Sequence, residues 1–283
     1  MYIIIAGGGI AGRNLTKSLV QKHDVIVIEK EQSVAEKIYS RYGAVTVLGS
    51  ATRIDILKEA GMKVDFKPEQ SRDDFLETIA DYDGIIVRSM TLLDKEALEK
   101  AENLKVIGRA GTGYDNIDLD EATKNGIFVF NTPTGNTISA VEHTMGMMLS
   151  LSRNIPQANQ ALHNDIWDRK KYMGTEIHGK TLGIIGLGKI GSRVAQRAQA
   201  FGMKVIATDP FVNETDMDVE IVSKDDLLAR ADYISLHIPF IKEQGPTITA
   251  AEFAKMKDGV VLINCARGGT VKESDLVDAL NSG

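Results

Sequence analysis

The sequence predicts an α/β protein of doubly wound parallel sheets, with helices on both faces and more than one domain. Three observations carry that expectation. Short all-apolar runs, such as residues 182–185 and 2–6, alternate with segments of helical periodicity. Two of these runs lead straight into a G-x-G-x-x-G turn that opens a helix, at Gly186, Gly188 and Gly191 and at Gly7, Gly9 and Gly12. The length, 283 residues, exceeds what one ordinary core holds.

Residues 181–210, TLGIIGLGKIGSRVAQRAQAFGMKVIATDP, have the strand–turn–helix–strand order of a Rossmann dinucleotide-binding unit. Gly186 permits a tight turn off the strand, Gly188 lets a pyrophosphate reach the backbone, and Gly191 lets the helix pack close to the sheet. Val194, Ala195, Ala198 and Phe201 recur at helical spacing over 192–201. The helix start offers free N–H groups and a partial positive charge to phosphates. Asp209 ends the strand 204–208 and lies 18 residues past Gly191. That is near the ~20 expected of the carboxylate that holds the ribose hydroxyls. An acid there favours NAD, because it repels a 2′-phosphate. The alternative is a glycine-rich turn without ligand; strand, helix and acid together speak against it.

Composition narrows the class. Lys+Arg 33 against Asp+Glu 39 leaves a net charge of −6, so charge gives no case for nucleic acid or an anionic membrane. One cysteine, Cys265, excludes an intrachain disulfide and suits a reducing cytoplasm. No apolar run approaches the ~18 residues of a membrane span, so no membrane insertion is expected. The apolar start lacks the basic flank of a signal peptide.

Residues 1–60 repeat the nucleotide-fold logic: strand 2–6, the glycine turn, helix 14–21 with Leu15, Leu19 and Val20 inward, and strand 24–28. Glu29 ends that strand, 17 residues past Gly12. Helix 33–42 and strand 44–48 follow. The stretch MYIIIAGGGIAG, Glu29 and Gly49-Ser50-Ala51-Thr52 resemble the N-terminal half of the TrkA-type nucleotide-binding domain, also called RCK, which regulates potassium transport. Ser50 stands where that family usually carries an Asp. The resemblance implies a second nucleotide site at Gly7, Gly9, Gly12 and Glu29; a glycine turn kept for packing is the alternative. Helix 53–62, with Ile54 and Leu57 inward, closes the unit, and Gly61 sits where a C-cap would.

Residues 61–135 read as strand 63–66, helix 72–79, strand 84–87, helix 94–101, strand 105–108 and strand 126–130. Arg88, the turn RAGTGYDN at 109–116 and Asn131 fall at strand ends, where open parallel sheets bind ligands. Gly111 and Gly113 could turn N–H groups toward an anion, and Arg88 offers a planar donor fork. Phosphate and carboxylate suit that set equally; a surface ion pair is the alternative for Arg88.

Helix 137–153 carries Val141, Thr144, Met148 and Leu151 along one stripe, with its methionines as core and His143 structural. A helix closes at 227–230, and strand 233–238 ends at His237-Ile238-Pro239. His237 invites a general-base role, which the family resemblance given below does not support. Strand 260–264 leads into Cys265-Ala266-Arg267-Gly268-Gly269, and helix 274–280 follows.

VIGRAGTGYDNIDLDEATKNGIFVFNTPTGNTISAVEHTMGMML, GLGKIG and LINCARGGTV resemble the D-isomer-specific 2-hydroxyacid dehydrogenases, and among them the phosphoglycerate dehydrogenase branch of serine biosynthesis. The resemblance spans about residues 55–283. It implies a partial flavodoxin-like substrate domain at 61–135 and an NAD-binding domain at 136–283, in a cytoplasmic homo-oligomer. It implies reversible hydride transfer between NAD and C2 of a D-2-hydroxy acid, with 3-phosphoglycerate expected. Arg267 is then the catalytic residue, holding the substrate carboxylate and C2 oxygen. Gly186, Gly188, Lys189, Ile190 and Gly191 would meet the pyrophosphate and Asp209 the ribose. Thr112, Ile238, Cys265, Ala266 and Arg267 itself would contact the cofactor on the nicotinamide side, with Cys265 a neighbour and not a nucleophile. Arg88, Gly111 and Gly113 would hold the substrate, and no metal is expected. The family's turn after Pro239 is Thr/Ser-rich; here it reads FIKEQG. Its glutamate and histidine acid/base pair would follow Gly283, so impaired turnover is expected. The alternatives are a non-catalytic nucleotide-sensing module for a transport partner and a fused sequence without selected function as a unit.

Overall fold

The computed structural model describes residues 2–6, 10–22, 24–49, 53–67 and 70–282. The chain divides into two compact units, residues 1–75 and 76–283.

The first unit contains β1 (Tyr2–Ala6), α1 (Ile10–Leu19), β2 (Asp24–Glu29), α2 (Gln32–Tyr42), β3 (Val45–Leu48) and α3 (Ile54–Glu59). Its strands are all parallel in the order β1-β2-β3. β2 is central, and its two faces feed two small cores. Val25 and Val27 meet Ile38 and Ala44 on one side; Ile28 meets Val47, Ile56 and Ala60 on the other. Past α3, Gly61 adopts φ 84°. Its N–H donates to Lys58 O (2.9 Å), and the Met62 N–H donates to Leu57 O (3.1 Å). Those two bonds satisfy the last carbonyls of the helix, as the glycine predicted. Residues 63–66, expected as a strand, form none. Phe66 is exposed there, and no described strand pairs with the segment to satisfy its backbone.

α4 (Arg72–Thr78) crosses the division at 75/76. There follow β4 (Gly84–Val87), α5 (Lys95–Lys100), β5 (Val106–Arg109), α6 (Leu119–Lys124) and β6 (Phe128–Asn131). The three strands are parallel in the order β4-β5-β6. Short helices hold here because aspartates cap them. Asp94 accepts from the Ala97 N–H (3.1 Å) and Asp118 from the Glu121 N–H (2.9 Å).

The remainder is α7 (Thr137–Ser152), α8 (Ile155–His163), β7 (Thr181–Ile185), α9 (Gly191–Ala200), β8 (Lys204–Thr208), β9 (Glu220–Ile221), α10 (Lys224–Arg230), β10 (Tyr233–Leu236), α11 (Ala250–Phe253), β11 (Val261–Asn264) and α12 (Glu273–Ser282). Its five strands are parallel in the order β11-β10-β7-β8-β9. One face packs Leu182 and Ile184 with α7 and α9 through Val141, Met145, Met148, Val194 and Ala198. The other packs Ile185, Ile206 and Ile234 with Leu227 and Leu228 of α10. The α7 stripe differs from expectation: Leu151 is exposed, and Ser152 lies inside. The Ser152 hydroxyl is within 2.9 Å of the Tyr233 hydroxyl and bonds Met148 O (2.7 Å), so a satisfied polar group turns inward. The strand expected over 233–238 ends at Leu236. The helices α6, α8 and α11 and the two-residue β9 were not legible in the sequence pattern. Among the described residues, no helix is long and apolar enough to cross a membrane.

Candidate active site

The order of the five-stranded sheet reverses beside β7, with β8 and β9 to one side and β10 and β11 to the other. All strands being parallel, the carboxyl ends of β7, β10 and β11 share one edge, where such sheets bind ligands. Gly186 leaves β7 at φ 97°, and its N–H donates to Thr208 O (2.9 Å). A Cβ there would lie 2.7 Å from both His237 O and Ile238 Cγ2. Both the backbone conformation and the space therefore require glycine. A Cβ on Gly191 would fall on the carbonyl oxygen of Gly186, so the start of α9 sits tight against the turn. Gly188 differs: a Cβ there would meet nothing within 4 Å. The middle glycine thus faces open space at a helix start, where a diphosphate could approach. Lys189 is exposed, and Ile190 precedes α9.

Asp209 stands at the end of β8. Its Oδ2 accepts from the Leu187 N–H and its Oδ1 from the Phe211 N–H, each at 2.8 Å. Each oxygen keeps a lone pair for a further donor, such as a ribose hydroxyl. The open glycine, the helix start and this anchored acid fit NAD.

Arg267 follows β11 at the same edge. Its backbone is clamped from within the turn. Asn264 Nδ2 donates to Arg267 O (2.8 Å) and to Thr270 Oγ1 (3.0 Å), and the buried Thr270 hydroxyl donates to Arg267 O (2.6 Å). The Ala266 N–H donates to Asn264 Oδ1 (3.1 Å). The guanidinium Nε donates to Asp115 Oδ2 (2.8 Å) and one terminal nitrogen to Ala266 O (2.9 Å). Gly113 lies directly against the other terminal nitrogen, which a Cβ would overlap. Two stretches 152 residues apart thus meet at one cation. Cys265, half-buried, packs on the core of the sheet. Phe240 covers Gly269, so the FIKEQG turn borders the same loop.

The turn 109–116 is held by amides. Asn116 Nδ2 donates to Arg88 O (3.0 Å) and Thr91 O (2.6 Å), and its Oδ1 accepts from Arg109 Nε (3.1 Å). Asn131 Nδ2 donates to Thr112 O (2.7 Å), and the Thr112 hydroxyl donates to Asn136 Oδ1 (2.6 Å). The expectation that both glycines aim N–H groups at an anion is corrected at Gly111, whose N–H donates to Arg109 O (2.8 Å). That bond folds the turn back on itself. Arg88 is exposed, and among the described residues its guanidinium has no hydrogen bond or ion pair with Arg267 or any other group.

His237 is not arranged as a base. Its backbone N–H donates to Ile185 O (2.8 Å), and its ring Nε2 lies 3.0 Å from the buried Ser235 hydroxyl. Burial pushes its pKa down to about 4, so the ring is neutral near pH 7. In the first unit, Gly7 and Gly9 lie outside the described residues, and Gly12 falls within α1. Glu29 Oε1 accepts from the N–H groups of Lys30 (2.6 Å) and Glu31 (3.0 Å), which places the carboxylate at the turn into α2. No cluster of metal-ligating side chains occurs among the described residues.

Asp115, Asn116, Asn264 and Thr270 escaped the sequence reading as site residues. All four lie inside the two motif stretches, RAGTGYDN and NCARGGT, beside the glycines and arginines that carry the motifs.

Residues 145–283 match the family described as D-isomer specific 2-hydroxyacid dehydrogenase, NAD binding domain, and residues 3–64 match the TrkA-N domain. The chain is 46% identical over 237 residues to the D-3-phosphoglycerate dehydrogenase of Archaeoglobus fulgidus, covering 83% of this chain and 45% of that protein. It is 44% identical over 231 residues to the D-3-phosphoglycerate dehydrogenase of Rattus norvegicus, covering 81% and 43%. The chain thus spans about half the length of the curated relatives it matches. Among solved structures, a glyoxylate reductase from Paecilomyes thermophila superposes with a TM-score of 0.75 at 33% identity, over 83% of this chain and 76% of that one. The D-lactate dehydrogenase from Aquifex aeolicus, complexed with NAD and lactic acid, superposes with a TM-score of 0.69 at 28% identity, over 99% and 74%. With a reversing parallel sheet, an open glycine at a helix start and an arginine at the same edge, the chain belongs to the D-isomer specific 2-hydroxyacid dehydrogenase family.

Proposed function

We propose that this chain serves reversible, NAD-dependent oxidation at C2 of a D-2-hydroxy acid, with 3-phosphoglycerate as the acid. The observation that carries the reading is the placement of Arg267 on the edge that holds the glycine turn, with Gly113 of the turn after β5 against its guanidinium. NAD supplies the hydride acceptor when bound. The chain's own residues bind and orient the two reactants. The N–H groups at the start of α9 and Gly188 receive the diphosphate, with Lys189, Ile190, Gly186 and Gly191 around it. Asp209 takes the ribose hydroxyls and disfavours a 2′-phosphate. Thr112, Ile238, Cys265 and Ala266 border the nicotinamide. Arg267 orients the carboxylate and the C2 oxygen through its donor fork. Arg88, with no partner for its charge among the described residues, takes the phosphate end, beside Gly111 and Gly113.

His237, a weak base held against Ser235, is left out of the proton transfer. We keep the division at 60/61 and 135/136, a cytoplasmic location and a homo-oligomer in the same proposal. Exposed Met147 and Leu151, one turn apart on α7, supply an apolar surface for self-association, which light scattering measures.

Calorimetric titration of NAD tests the cofactor part. Gly188→Val should weaken NAD binding at least ~10-fold while the melting temperature holds, because the added side chain enters open space. Unchanged affinity sinks the assignment. A second reading, nucleotide sensing by residues 1–60, draws on the TrkA-N match at 3–64. NAD or ATP binding that survives in Gly188→Val and disappears on adding Gly9→Val would favour it.

A further inference from the structure

We propose that Asp115 is a positioning residue for Arg267: it sets which edge of the guanidinium meets the substrate carboxylate. The inference rests on the reading of Arg267 as the carboxylate holder and goes one step past it. Asp115 Oδ2 takes the Nε–H at 2.8 Å, and Ala266 O takes one hydrogen of a terminal nitrogen at 2.9 Å. Arginine has five N–H donors, so three remain, all on the two terminal nitrogens. A carboxylate can then be held in the two-pronged manner only at the outer end of the fork, because the Nε edge is occupied. Gly113 packs against that same group with no room for a Cβ, which stops the guanidinium from rotating toward the turn. The backbone beneath is pinned by Asn264 and Thr270. Arg267 is thus held at its backbone by its own loop and at its side chain by Ala266 O and by the turn 109–116.

Asp115 itself sits on a braced turn. Its neighbour Asn116 spends both ends of its amide on Arg88 O, Thr91 O and Arg109 Nε. The carboxylate therefore reaches Arg267 from a fixed base and not from a loose loop. Both partners are partly solvent-exposed, 42% for the Arg267 side chain and 55% for Asp115, so the pair does little for stability. Its effect lies in orientation, where holding one edge of a five-donor group removes alternative poses.

The test measures binding of oxalate, a planar dicarboxylate, to the NAD-saturated chain by calorimetry. NAD affinity serves as the control for folding. Asp115→Ala should weaken oxalate about tenfold and leave NAD affinity unchanged, since a freed guanidinium must be ordered on binding. Asp115→Asn, which still accepts from Nε, should recover most of that loss. Arg267→Ala should abolish oxalate binding. Asp115→Ala binding oxalate as tightly as the parent, or more tightly, overturns the positioning role; tighter binding would make Asp115 a competitor. Equal losses in Asp115→Ala and Asp115→Asn also overturn it, since charge alone would then explain both. Oxalate affinity retained by Arg267→Ala, or absent from the parent chain, removes the carboxylate reading itself and this inference with it.

Discussion

The sheet β4-β5-β6 and the sheet β11-β10-β7-β8-β9 are built from the same parallel, apolar strands, yet only the second is covered on both faces. All four residues of β10 are buried. In the smaller sheet the register aligns Ile86, Gly108 and Phe130, and beside them Gly84, Val106 and Phe128. Ile86 is 66% exposed, Phe128 70% and Phe130 60%, while Val87 and Ile107 on the opposite face are buried. Parallel sheets ordinarily bury both faces. An apolar strand run thus reports what a sheet is able to bury; what it does bury depends on helices contributed from elsewhere in the chain. In the larger sheet α7 and α9 cover one face and α10 the other.

The largest effect should come from the covered sheet. Ile234→Ala removes a fully buried side chain of β10 and should cost ~2–5 kcal/mol, read from the midpoint of urea unfolding. A loss below ~1 kcal/mol would mean that the two sheets are packed alike.

Next comes the acid limb of stability. His237, at the end of β10, has its pKa pushed by burial from the ordinary 6.5 to about 4. The unfolded chain therefore takes up this proton first, so stability is full above pH ~6.5 and falls as the pH drops toward 4. Stability of His237→Gln across that window should be flatter than that of the parent; parallel curves would refute the burial. A further step lies lower. Burial alone would raise the Glu252 pKa, but hydrogen bonds from Lys224 and from the Thr249 hydroxyl and N–H hold it at about 2. Its contribution is present above the usual carboxylate pKa, near 4.5, and is lost as the pH falls toward 2, a loss that Glu252→Gln should remove from the acid titration.

The smallest effect belongs to the open sheet. Phe128→Ser should change stability by no more than ~0.5 kcal/mol, as for exposed sites without special contacts. The same substitution should reduce self-association in light scattering, because it breaks an apolar patch. A loss as large as that of Ile234→Ala would show that Phe128 is covered in solution.

Much of this was legible from residue order. The three glycines at 186, 188 and 191 read as three different requirements, and space around them differs accordingly. The spacing to Asp209 anticipated an acid at the strand end, although not that two backbone N–H groups would hold it. Gly61 announced the end of α3. The inward turn of Ser152 was hidden, because its partner Tyr233 lies 81 residues away. So was the failure of residues 63–66 to form a strand, because pairing needs a neighbour that periodicity does not reveal.

By itself the sequence determined most of the elements, the direction of the strands and the chemistry of the glycine turn at 186–191, since these obey rules that act within about one strand–helix–strand unit. Only the tertiary structure decided which sheet faces are covered and that Asp115 meets Arg267. Those outcomes depend on packing between separate elements, and for Asp115 and Arg267 between stretches 152 residues apart, where side-chain volume and the reach of a carboxylate settle the contact.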